Sequence, residues 1–143
     1  MVAYSFKARF EAPILAGLKH GCLTPEMKRH TIRADRRRHV RSGEAIQLYY
    51  GMRTRQCRLI GVGICTWVAP IYMLLAPAGE GGEVTIMRPD ADYTGHTQEE
   101  LDRFAQGDGF RDWADLLAFW AKEHPDQQTF SGVIINWEPP HVR

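Results

Sequence analysis

Lys28 and Thr31 stand three residues apart, with Arg33 two further on, in the run Lys28-Arg29-His30-Thr31-Ile32-Arg33. A threonine hydroxyl is a weak nucleophile until a base takes its proton, and a lysine whose pKa is depressed by burial can be that base. The same ammonium, hydroxyl and guanidinium also suit a phosphate or a polarised carbonyl, so they serve equally to hold an anion without chemistry. His30, beside the hydroxyl, reads either as an alternative base or as a hydrogen-bonded strand histidine. The basic character continues, so that seven of the fourteen residues 28–41 are Lys or Arg. Arg36, Arg37, Arg38 and Arg41, with Arg29 before them, read as a loop that tracks a phosphate backbone or as a solvated charged loop. Arg53 and Arg55 flank Thr54 in a turn and extend that surface.

These side chains need elements to position them. The alternation through residues 28–33 predicts a strand, on which Lys28 and His30 face one way and Arg29, Thr31 and Arg33 the other, unless a bulge re-aims one of them. Residues 4–10 alternate with Phe6, Ala8 and Phe10 on one side and predict a first strand. Pro13 suits a helix start, with Ile14, Leu15 and Leu18 as its apolar face. Residues 45–50 read as a strand in which Tyr49 and Tyr50 face opposite ways, one into the core and one free to stack a base. Residues 56–68 read as a central strand bent at its glycines, 70–75 as a further strand, and 83–87 as a short one. Thr97-Gln98-Glu99-Glu100 has the capping-box pattern and predicts a helix to about Ala105. Trp113, Leu116, Leu117 and Trp120 recur at helical spacing, and residues 130–137 close the chain as a strand before an extended tail, 138–143. About six strands and two or three helices, segregated in sequence, indicate an α+β fold with the strands curled as a small barrel.

The length of 143 residues suits one domain with a core of its own. Residues 1–58 carry 13 basic and 4 acidic side chains, a balance of +9, whereas 59–143 carry 5 and 13, a balance of −8. If the halves occupy different faces, one face attracts polyanions; if their strands interleave, much of the asymmetry becomes internal pairing. Cys22, Cys57 and Cys65 form no metal-ligand spacing, and Cys57 and Cys65 read as core thiols in a reducing compartment. The apolar runs are too short and too broken for a membrane span, and no leader pattern opens the chain, so a cytoplasmic protein without metal or cofactor is expected.

Several motifs in order carry a resemblance. They are Ala16-Gly17-Leu18-Lys19 ending an early helix, Lys28-x-x-Thr31-Ile32-Arg33, Ser42-Gly43-Glu44, Asp108-Gly109-Phe110 before an amphipathic helix, and a last strand ending in Trp137. Together, over most of the chain, they resemble the ASCH family, a branch of the PUA-like β-barrels. The resemblance implies a PUA-like barrel of about six strands with helices at its rim and a cleft beside the Lys-x-x-Thr strand. It implies binding of RNA or a modified nucleoside or nucleotide. Some members hydrolyse N4-acetylcytidine-type nucleosides with the Lys and Thr of this motif and a later Glu. Those positions fall on Lys28, Thr31 and, one methylene shorter, Asp108, giving a Thr31 nucleophile, a Lys28 base and an Asp108 support. Asp108 in its glycine turn reads otherwise as a helix cap. A weaker alternative is a ribonuclease, with Lys28 and Arg33 on the phosphate and His30 as base.

Overall fold

The computed structural model describes residues 2–19, 21–36 and 38–140. Its strands are β1 (Val2–Phe6), β2 (His30–Arg33), β3 (Ala45–Tyr50), β4 (Arg58–Leu74), β5 (Glu83–Met87), β6 (Asp92–Gly95) and β7 (Thr129–Glu138). The helices are α1 (Glu11–Gly17), α2 (Gln98–Gly107) and α3 (Trp113–Glu123), with a 3-10 turn at Ala8–Phe10 leading into α1. Among the described residues the fold is α+β, with seven strands in one mixed sheet and three α-helices.

The 17-residue β4 is the spine of that sheet. One edge pairs antiparallel with β3 and then with β5, while the other pairs antiparallel with β7 along residues 64–74. β1 adds parallel to β3, β2 adds antiparallel to β7, and β6 adds to β5. The path β1-β3-β4-β7-β2 therefore ends in two edges, and the sheet does not close into the expected barrel. What crosses from β2 to β1 is a side chain: the Arg33 guanidinium donates to the Ser5 carbonyl at 2.8 Å.

Other expectations need correction. The first strand stops at Phe6, because the chain turns there and Phe10 N–H bonds the Lys7 carbonyl at 3.0 Å. Residues 58–74 form one strand rather than two. Pro70 is tolerated inside it because residues 66–70 have no strand partner on the edge away from β7, so a missing N–H there breaks no ladder. A bulge between Cys65 and Trp67 bends the strand near the same place. Cys57 lies in the turn before β4 and is exposed, whereas Cys65 is buried and its thiol is pushed up to about 11 by burial. A second bulge, between Leu48 and Tyr49, leaves Tyr49 and Tyr50 both half-buried, so neither is the core residue that alternation predicts.

α2 begins at the capping box: Glu100 N–H donates to Thr97 Oγ1 at 3.2 Å and Thr97 N–H donates to Glu100 Oε1 at 3.2 Å. α3 buries Trp113, Leu116 and Trp120, and Trp113 Nε1 donates to the Ala76 carbonyl at 2.8 Å. These helices join Tyr4, Phe6, Ile46, Leu48, Ile71, Met73, Ile134, Ile135 and Trp137 in one apolar cluster. Among the described residues no helix is long and apolar enough to cross a membrane.

Candidate functional site

Lys28, Thr31 and Asp108 are the buried polar side chains other than tyrosine and tryptophan among the described residues, at 2%, 4% and 5% exposure. They come from three places. Lys28 lies just before β2, where its N–H bonds the Pro13 carbonyl of α1 at 2.9 Å. Thr31 is the second residue of β2, opposite Ile135 of β7. Asp108 follows the last turn of α2, with its N–H on the Phe104 and Ala105 carbonyls. Its carboxylate caps no helix; Asp112 is the side chain that caps α3, accepting from Asp115 N–H at 2.8 Å.

Lys28 Nζ donates to Asp108 Oδ1 at 2.7 Å and to the Asp108 carbonyl at 2.6 Å. It also lies 4.8 Å from the centre of the Phe10 ring and 5.7 Å from that of Phe6. Burial pushes the Lys28 ammonium below the usual lysine range, opposed by the charge and hydrogen bond of Asp108. Burial also works against the Asp108 carboxylate, but the neighbouring Lys28 charge, the adjacent His30 ring and the Lys28 hydrogen bond outweigh it and hold Asp108 below its ordinary value. His30 Nδ1 is 3.2 Å from Asp108 Oδ1, out of line for a good hydrogen bond, and its ring stacks on Phe104 at 5.4 Å. Gly109, at φ +92°, makes the turn, and a side chain there would crowd Phe10 and the Lys28 stem.

A cleft of about 310 Å³ opens beside this pair. Lys28, Thr31, Arg33 and Asp108 line it together with Phe6, Phe10, Phe110, Phe119, Trp120 and Phe130. Ser5 and Phe6 come from β1 and Thr31 and Arg33 from β2, so the cleft sits between the two ends of the β1-β3-β4-β7-β2 path. Strict alternation separates Lys28 from Thr31; the two share a cleft because Lys28 precedes the regular strand. Thr31 Oγ1 accepts from Arg33 Nε at 3.2 Å, and among the described residues no hydrogen bond joins it to Lys28.

The other predicted residues divide. Arg29 turns away and binds the Gly17 and Lys19 carbonyls at 2.8 and 2.9 Å, securing the end of α1. His30 supports Asp108 but is not a cleft wall. Arg36 and Arg53 line a second cavity that shares Ser5 and Arg33 with the cleft. Arg38, Arg41 and Arg55 are exposed and line neither cavity, and Arg37 lies outside the described residues. The sequence reading missed the aromatic walls, and Glu123 and His124 at the end of α3, because their spacing is that of ordinary core and helix-end residues. Among the described residues no group of three or more His, Cys, Asp or Glu could hold a metal ion. No family model, no curated protein and no solved structure matches this chain.

Proposed function

We propose that this protein is an ASCH-type hydrolase that binds a nucleoside-sized ligand in the cleft and cleaves an acyl amide on it, as on an N4-acetylcytidine-type base. The observation that carries the reading is the buried Lys28–Asp108 pair, 2.7 Å apart, in one cleft with the buried Thr31 hydroxyl. A buried ion pair adds little to stability compared with apolar packing, and ionisable groups perturbed by desolvation in a cleft are candidates for function. The aromatic walls suit a planar base. The neutral form of Lys28, made more accessible by burial, takes the Thr31 proton as Oγ1 attacks the acyl carbon. The C–N bond then breaks, Lys28 returns that proton to the departing amine, and water releases the acid from the acyl-threonine. Arg33 donates to Thr31 Oγ1 through Nε, which leaves the hydroxyl hydrogen for the base.

A second reading, recognition of RNA or a modified nucleotide without turnover, is favoured by one observation: Thr31 bonds Arg33, not Lys28. The ribonuclease alternative has less support, since its base, His30, is not a cleft wall. Purified protein is incubated with N4-acetylcytidine beside Thr31→Ala and Lys28→Met. The hydrolase reading expects acetate and cytidine from the native protein and a loss of about 100-fold or more in each variant. Turnover that survives Thr31→Ala defeats it. Absence of turnover with salt-sensitive binding of a short RNA leaves the recognition reading.

A further inference from the structure

The second cavity, about 380 Å³, lies along β1 and the turn between β3 and β4. Arg33, Arg36 and Arg53 reach it, beside Tyr4 and Ser5. The Arg36 and Arg33 guanidinium carbons stand 4.7 and 5.4 Å from the centre of one Tyr4 ring, so two cations gather about one residue of the cavity wall. Arg33 spends Nε on Thr31 and a terminal nitrogen on Ser5, and Arg36 spends Nε on the Arg38 carbonyl, which leaves terminal donors on both. Among the described residues none of the three forms an ion pair with a carboxylate. The Asp108 carboxylate acts on Arg33 from the neighbouring cleft without contact, but the gathered guanidinium groups still repel one another, and a phosphate relieves that repulsion while accepting from several guanidinium forks. Arg33 belongs to both cavities, so an anion in the second lies next to a ligand in the first.

We propose that the second cavity is a phosphate subsite, so the ligand of the cleft is a nucleotide rather than a free nucleoside. This rests on the nucleoside reading of the cleft, and the phosphate can belong to a mononucleotide or to an RNA chain. Native protein and the double variant Arg36→Gln/Arg53→Gln are titrated with cytidine, its 5′- and 3′-monophosphates, a short single-stranded RNA and inorganic phosphate. Binding is read by calorimetry and by tryptophan fluorescence, to which the cleft-lining Trp120 contributes. The expected result is that one monophosphate binds at least about tenfold more tightly than cytidine, and that the double variant loses this gain. RNA binding more tightly than either monophosphate identifies a chain phosphate, and equal binding identifies a mononucleotide; both uphold the subsite. Equal affinity for cytidine and both monophosphates overturns it, as does a gain that persists in the double variant. If cytidine and its monophosphates all fail to bind while inorganic phosphate binds through Arg36 and Arg53, the cleft reading falls and the subsite stands. Failure of every phosphate-bearing probe overturns the subsite.

Discussion

Lys28 is a lysine at 2% exposure whose ammonium is matched by a carboxylate 80 positions later in the chain. The spacing of Lys28, Thr31 and Arg33 was visible in the sequence, but nothing near them announces Asp108; only the family resemblance reached it. Removing one partner of such a pair strands the other charge in a low-dielectric site. Asp108→Asn, which keeps the side-chain shape, is therefore expected to cost about 3 kcal/mol of stability near neutral pH. The acid limb follows from the sign of the shift. Asp108 is lowered from 3.8, so its ionisation contributes stability that is fully present above that value and lost as pH falls through the lower folded value. Lys28, also lowered, is a burden while charged, and that burden is relieved as pH rises from its folded value towards 10.5. Urea unfolding as a function of pH reads the prediction. The Asn variant should lose stability less steeply than the native protein below pH 3.8. Parallel acid limbs mean that Asp108 is not the group whose protonation weakens the fold.

Elements with strong local signals were legible. The capping box at Thr97 and the Trp113–Trp120 spacing predict α2 and α3, and both lie where expected. The failures have tertiary causes. β6 is four residues, Asp-Tyr-Thr-Gly, with no alternation to read, and it exists because β5 offers it an edge. Pro70 looks like a strand boundary until the change of partners along β4 is known. Gly17 looks like a weakness in α1, yet it is where the helix meets the Lys28 backbone, and a Cβ there would overlap the Lys28 carbonyl oxygen. Because the obstacle is backbone, Gly17→Ala should destabilise by about 2 kcal/mol or more and displace Lys28 from Asp108. Gly79→Ala is the comparison: at φ +81° with nothing within 4 Å, it should cost only about 1 kcal/mol of backbone strain. Denaturation of the two variants, with turnover of N4-acetylcytidine alongside, checks the contrast. Equal costs and equal turnover separate the α1 contact from the site.

At the scale of the whole molecule, the opposed charges of the two halves interleave rather than divide into two faces. β2 from the basic half pairs with β7 from the acidic half. Ion pairs cross between the halves at Lys7–Glu123 (3.0 Å), Arg9–Asp115 (2.6 Å) and Lys28–Asp108 (2.7 Å). Neither this pairing nor the open end of the sheet is written in composition, since both depend on which strands become neighbours. Part of the positive charge left over lies beside that open end. Arg36 and Arg53 reach the second cavity, and Arg38 and Arg41 are exposed outside its lining, without an ion pair among the described residues. On the proposed reading a mononucleotide would end at the cavities, whereas a single-stranded RNA would continue past them and be able to neutralise the outer pair. Each phosphate contact on a single strand contributes about −0.7 to the slope of log K against log salt. Arg38→Gln/Arg41→Gln should therefore flatten the slope for a short RNA by about 1.4 and leave the slope for a cytidine monophosphate untouched. Binding measured over a range of salt concentrations decides it. Unchanged RNA slopes confine recognition to the two cavities and assign the loop a solvated role.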